Sequence, residues 1–267
     1  LPELGPHAED RVEILIATGL HRATREDELD RMLGPDLRKR LRIINHDARD
    51  PTCLRDIGTT SSGRPVIVNQ RYLDADIRIT LGLIEPHFFA GFSGGPKLVM
   101  PGIAGEHSIL NNHDFAMISH PNARWGTLTG NPIHQEQLEA ALLAGCDFSL
   151  NVSITADGSI SGIFAGNLEA SHQQGCQVVL NAAMKPVEKP YDVVVTTNGG
   201  HPVDLNLYQA VKGMDAANQI VKSGGHIVMA AECRDGVGHG DFAHILKENK
   251  SAAAMVKTIA TAPHVRS

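Results

Sequence analysis

Histidines placed just after strands are the side chains of this sequence best suited to moving protons. His21 follows the β-rich run at 12–17, and His87, in Ile84-Glu85-Pro86-His87-Phe88-Phe89, follows the run at 77–84. In open α/β sheets ligands bind beyond the carboxyl ends of the strands, so histidines at equivalent strand ends could converge on one crevice; each could also be an ordinary surface residue. Imidazole titrates near ~6.5, which lets one group take and return a proton around neutrality. The second signal is Gly91-Phe92-Ser93-Gly94-Gly95-Pro96-Lys97. Its glycines allow a backbone nest that accepts an anion, with the Ser93 hydroxyl and the Lys97 charge added, or else a tight turn. It is neither a P-loop nor a dinucleotide fingerprint, whose glycine spacings differ. His113, in Asn111-Asn112-His113-Asp114, reads as a ligand for a borderline transition metal or as the neighbour of a helix N-cap. Gln209 and Lys212 lie three apart on one helix face, where they could close over a carboxylate or simply face solvent.

The elements that must carry these residues follow from the pattern. Residues 12–17 predict a strand, and Thr24 with Asp27 three residues on predicts a capping box opening a helix that Gly34-Pro35 stops. Further strands are expected at 41–44, 65–68 and 77–84 with helices or loops between them, which implies a largely parallel sheet. A helix is expected at 132–144, closed by Gly145, then an antiparallel pair at 148–154 and 160–164 around Asp157-Gly158, then a helix at 168–180. Lys185-Pro186-Val187-Glu188-Lys189-Pro190 has linker composition. Beyond it, a buried strand at 191–196, a helix at 205–220 and a strand at 225–230 make one βαβ unit. The expected fold class is α/β with two α/β domains, 1–184 and 191–267, the first lacking its start and the second incomplete.

Composition narrows the function classes. The 267 residues carry 24 Lys and Arg against 30 Asp and Glu, a net charge of -6 that disfavours nucleic acid as a partner, since phosphate backbones demand a basic face. The basic run Arg38-Lys39-Arg40-Leu41-Arg42 has no interleaved aromatics and reads as a solvated helix face. Cys53, Cys146, Cys176 and Cys233 are far apart, which removes a zinc ribbon, a redox pair and a disulfide scaffold, and predicts reduced core residues. No apolar run reaches the ~18–20 residues that cross a bilayer, and no signal segment opens the chain. The expectation is a cytoplasmic protein without membrane partners. The opening at Leu1 without Met suggests a fragment.

Taken together, Thr18-Gly19-Leu20-His21-Arg22, the block from Gly82 to Lys97 with Pro101-Gly102, Asn112-His113, and Gln209 with Lys212 resemble the nickel-pincer-nucleotide lactate racemase family, from about residue 12 to 240. The resemblance implies two α/β domains with the active site in the cleft between them. It implies a pyridinium-3,5-bisthiocarboxylic acid mononucleotide holding nickel in a sulfur–carbon–sulfur pincer, supplied by cofactor-synthesis proteins. Lys97 matches the lysine that anchors this cofactor, covalently through a thioamide in some members, with Ser93, Gly94 and Gly95 beside it. His113 matches the nickel ligand, His21 and His87 the two acid/base histidines, and Gln209 and Lys212 the pair that contacts substrate. The family also uses an Asp and an Arg upstream of the position matching His21, which this sequence begins too late to include. The implied activity is racemisation or epimerisation at C2 of a 2-hydroxy acid by hydride transfer to and from the cofactor, with one histidine serving each enantiomer. The alternatives are a non-catalytic cofactor or phosphate-ligand binder, an epimerase for sugar acids or larger hydroxy acids, and a zinc hydrolase needing three clustered ligands.

Overall fold

Short apolar runs bounded by glycine turns become short strands here, and the amphipathic segments between them become helices. The structure is a computed structural model that describes residues 8–201, 203–238 and 240–261. The opening residues, on which the expected absence of a signal segment partly rests, and 262–267 of the second expected domain lie outside them.

In chain order, α1 (Ala8–Arg11) precedes β1 (Glu13–Ile16), α2 (Glu26–Arg40) and β2 (Arg42–Asn45), then β3 (Leu54–Thr59), β4 (Pro65–Asn69) and α3 (Gln70–Asp74). Next come β5 (Ile79–Leu83), β6 (Pro86–His87), β7 (Gly91–Phe92), a 3-10 turn at Gly95–Leu98, α4 (Glu106–Asn112), α5 (Phe115–Ile118) and α6 (Pro132–Ala144). The chain continues through β8 (Phe148–Ile154), β9 (Ile160–Gly166), α7 (Leu168–Ala183), β10 (Tyr191–Thr197), α8 (Leu207–Asn218), β11 (Val221–Ala230), α9 (Gly240–Glu248) and α10 (Ala252–Thr261).

The α/β class holds, but the strands form five small sheets among the described residues instead of one largely parallel sheet. β1–β2, β5–β8 and β10–β11 pair parallel, as strands joined through a helical crossover do; β3–β4, β6–β7 and β8–β9 pair antiparallel. Two compact units emerge: 1–85, 93–113 and 132–178 in the first, and 86–92, 114–131 and 179–267 in the second. Residues 185–190 form neither helix nor strand and are exposed.

Several local expectations change. Helix α2 is opened one residue later than expected, because Asn45 Oδ1 takes the Thr24 N–H (2.8 Å) while Glu28 Oε2 takes that of Arg25 (2.8 Å). Gly34, at φ 75 and ψ 157, is non-helical and ends the first helical segment of α2, as the Gly34-Pro35 pair leads one to expect; Pro35 then opens a second segment, where its missing N–H costs nothing. The basic run is an ion-paired helix face: Arg38 meets Asp30 at 2.9 Å and also pairs with Glu26, and Arg40 meets Glu9 at 2.7 Å and Asp36 at 2.9 Å. Of the four cysteines only Cys176 is buried, and all four are free thiols. Strand β10, expected buried, leaves Val193 and Val195 53% and 72% exposed. Among the described residues no helix is long and apolar enough to cross a membrane.

In the first unit the core gathers Val66, Val68, Val99, Met100, Ile103 and Ile109 with the small face of α6, Ala140, Ala141 and Ala144. The β5–β8–β9 sheet inverts the usual pattern. Thr80, Ser149, Asn151 and Ser153 point into the unit, while Ile79, Leu81 and Ile163 lie on the open face. Buried polar groups on a strand must be hydrogen-bonded, and their partners lead to the site.

Candidate functional site

The first unit holds His21, Ser93, Gly94, Gly95, Lys97 and His113; the second holds His87, Gln209 and Lys212. In the first, the glycine segment folds into a turn, several of whose backbone donors are engaged by the protein itself. Ser93 N–H donates to Glu85 O (2.9 Å), Gly95 N–H to Asn151 Oδ1 (2.9 Å) and Lys97 N–H to Gly94 O (3.1 Å), so only the last of these bonds closes within the turn itself. The Ser93 hydroxyl likewise straps the turn to the end of β5, donating to Leu83 O (2.7 Å) and accepting from Glu85 N–H (2.9 Å).

Two residues that the sequence reading passed over hold this turn. Asn151, fully buried on β8, is steadied by its own Nδ2–H bond to Ser149 Oγ (2.9 Å), which also accepts from Thr80 Oγ1 (2.9 Å). His172, on α7, donates from Nε2 to Ser93 O (2.9 Å). Gly95 packs so closely on that imidazole that a Cβ there would sit 2.4 Å from His172 Cγ, and its φ of 50 is left-handed. The signal for both was an exception to pattern: Asn and Ser at the inward positions of a strand, and a histidine on the apolar face of a helix.

Lys97, half-buried, lies in the 3-10 turn, and its charge is felt at His113, the C-cap of α4. The His113 ring donates from Nδ1 to Ile109 O (2.9 Å), so the lone pair of the neutral ring is on Nε2. Burial, with Lys97 adding to it, pushes His113 down to about 4. A ring that stays neutral through physiological pH, with Nδ1 engaged by a carbonyl, has the protonation and tautomer of a metal-ligating imidazole. Among the described residues no three His, Cys, Asp or Glu side chains gather in a metal-binding group, so the zinc-hydrolase reading lacks its ligand set.

The loop carrying His21 is tied to the same turn. Gly19 N–H donates to Gly102 O (2.9 Å), and Thr18 Oγ1 donates to His46 O (2.6 Å). The buried His46 ring donates from Nε2 to Ala104 O (2.9 Å) and accepts at Nδ1 from Asn69 Nδ2 (3.0 Å), fixing the end of β2 beside the segment that follows Lys97. Gly102 has no room for a side chain, since a Cβ would lie 2.1 Å from Leu98 O. His21 itself is exposed.

In the second unit, His87 sits in the β6–β7 hairpin with its ring edge-on to Phe89 (4.5 Å between centroids) and tilted to Phe88 (4.9 Å). Its Nδ1 accepts from Ala90 N–H (3.2 Å), which leaves the proton of the neutral ring on Nε2. The fully buried Asn131 holds the hairpin by donating to Phe89 O (2.8 Å) and Thr127 O (2.9 Å). On α8, Gln209 and Lys212 are half-buried, and Asp215, one turn beyond Lys212, accepts from Trp125 Nε1 (2.6 Å).

The buried histidines make stability depend on pH. His134 is pushed down to about 4, chiefly by burial and also by its neighbour His172, and burial lowers His46 and His172. In the unfolded chain these rings titrate near ~6.5, so between that value and about 4 the unfolded state binds more protons, and stability falls as pH falls. The His134 contribution is on the order of 3 kcal/mol. Thermal melts should show Tm dropping steadily through this window, and His134→Gln should make the drop shallower; an unchanged slope would remove His134 from the account.

Comparison with known proteins places the chain. The lactate racemase N-terminal domain family matches residues 2–126 and the lactate racemase C-terminal domain family matches 187–267. The chain is 44% identical over 248 residues to a lactate racemase of Thermoanaerobacterium thermosaccharolyticum, covering 93% of this chain and 58% of that protein. It is 43% identical over 238 residues to a lactate racemase of Lactiplantibacillus plantarum, covering 89% of this chain and 56% of that protein. The chain thus spans somewhat over half the length of these curated relatives. The structure of the lactate racemase apoprotein from T. thermosaccharolyticum superposes with a TM-score of 0.91 at 43% identity, covering 94% of this chain and 60% of that one. A crystal structure of a Thermotoga maritima protein, 23% identical with a TM-score of 0.61 over 69% of this chain and 50% of its own, shares the fold.

Proposed function

The chain belongs to the lactate racemase family, and on that premise we propose that it racemises or epimerises a small, lactate-like 2-hydroxy acid at C2, using a nickel pincer nucleotide. The observation that carries this reading is the pairing, within one unit, of Lys97 on a clamped turn with a neutral His113 whose Nε2 bears the lone pair. That donor set fits the cofactor: Lys97 would hold the pincer nucleotide, and His113 would supply nickel with its protein ligand. When bound, the cofactor supplies a hydride acceptor and donor at C2.

The chain's own residues then do the rest. His21 and His87 move the proton of the C2 hydroxyl, one for each enantiomer, and Gln209 and Lys212 hold the carboxylate. With its proton on Nε2, the neutral His87 ring is the base form; taking up a proton at Nδ1 gives up the Ala90 bond, and the imidazolium so formed is what returns a proton. Ser93, Gly94 and Gly95 serve the cofactor by shaping the turn that presents Lys97. Cofactor-synthesis proteins are the partners and the cytoplasm the compartment that this reading implies.

The test is to produce the protein together with cofactor-synthesis proteins, assay metal content and the mass of the Lys97 peptide, and offer single enantiomers of lactate, longer 2-hydroxy acids and sugar acids. Nickel with conversion of one enantiomer supports the reading and selects the substrate class. Nickel without conversion of any substrate points to a binder, and zinc or no metal overturns the reading. In the same preparation His113→Ala should lose most of its nickel while its thermal unfolding stays cooperative. Unchanged nickel stoichiometry would remove His113 from the metal.

A further inference from the structure

The end of α4 is held at three successive residues, and the holding groups all point to one role. Asn111 O accepts from Arg64 Nε (3.1 Å). Asn112, 2% exposed, accepts at Oδ1 from Gln137 Nε2 (3.2 Å) and donates from Nδ2 to Ile133 O (3.3 Å). His113 donates both its backbone N–H and its ring Nδ1–H to the Ile109 carbonyl, each at 2.9 Å. Arg64 is itself seated against Glu136, with Nη1 and Oε2 3.6 Å apart, and Glu136 and Gln137 are consecutive residues of α6.

Gln137 is 1% exposed and lies on the side of α6 that also buries Ile133, Ala140 and Ala141. An amide in such surroundings loses its hydration, and an apolar residue of the same size would fill the space without that cost. Two buried amides that satisfy each other contribute orientation more than net stability, because their geometry is directional where apolar packing is not. The residue they orient is the one directly after Asn112.

We propose that Asn112 and Gln137 are positioning residues for the His113 imidazole: the amide pair fixes the last turn of α4 so that the ring keeps its Nδ1–H bond to Ile109 O and presents Nε2 to the metal. The inference rests on the reading of His113 as nickel ligand. The geometry that the pair imposes exists without metal, so it can be measured separately.

The variant is Gln137→Met, which keeps side-chain length and apolar contact but removes the amide. Nitrogen-15 NMR of the metal-free protein above neutral pH should show His113 of the parent chain as the Nδ1–H tautomer and that of Gln137→Met as a mixture. In the nickel-loaded enzyme, the variant should release nickel to a chelator roughly 10- to 100-fold faster. If Gln137→Met does not fold, Asn112→Asp, which keeps the acceptor for Gln137 and loses the donor to Ile133 O, gives the same two readouts. A fall in Tm with tautomer and release rate unchanged would overturn the proposal and leave the pair as packing. If the parent chain takes up no nickel, the functional reading fails, and the tautomer measurement alone decides whether the pair positions the ring.

Discussion

Replacing either His21 or His87 by alanine is expected to lower interconversion of the enantiomers by about 10²- to 10⁴-fold, the usual contribution of a positioned acid/base group. Both should matter, because a full racemisation takes a proton in one direction and returns it in the other. The histidine left intact still serves one half-reaction, so each variant should form a trace of the planar keto acid from one enantiomer and not from the other. Mutagenesis by itself does not separate hydride transfer from a carbanion route, since both use two bases. Isotope does: with C2-deuterated substrate in ordinary water, a label that leaves as hydride and returns to the same carbon is largely retained, whereas a carbanion exchanges it with solvent. Mass measurement of the product on the first turnover is the deciding readout, and extensive loss of label there would overturn the hydride reading even with both histidines essential.

The second large effect is expected at Gly95. A methyl group there lies 2.4 Å from His172 Cγ and 2.5 Å from Cδ2, on a backbone at φ 50. Neither side yields easily, because His172 is 1% exposed and bonded to Ser93 O, and the Gly95 N–H is bonded to Asn151. Gly95→Ala should therefore cost about 1–3 kcal/mol in overpacking. The larger consequence is displacement of the turn that carries Lys97, seen as loss of cofactor from the purified protein. The double variant Gly95→Ala, His172→Ala removes the clash and should recover part of the stability. If the second substitution adds to the loss instead of offsetting it, the contact is not what excludes a side chain at Gly95.

What the sequence by itself determined is local. Runs of Val, Ile and Leu ended by glycine were legible as strands, and β1, β5, β8, β9 and α6 lie where period and turn residues put them, because hydrophobic period and turn chemistry act over a few residues. The family was legible as well, since Gly82 to Lys97 and Asn112-His113 are contiguous. Strand β3 was not: Leu54-Arg55-Asp56-Ile57-Gly58-Thr59 has little apolar alternation and is a strand through pairing with β4, a contact local preference does not encode. The open faces of β10 and of the β5–β8–β9 sheet could not be read either, since an apolar residue has the same chemistry whether or not a neighbour covers it. Composition did not show what engages the glycine segment's backbone; Asn151, more than fifty residues away in sequence, takes the Gly95 N–H. The His113 tautomer was decided in a similar way, by the Ile109 carbonyl one helical turn back. Protonation state and donor availability depend on what a group faces, and only the tertiary structure brings those groups together.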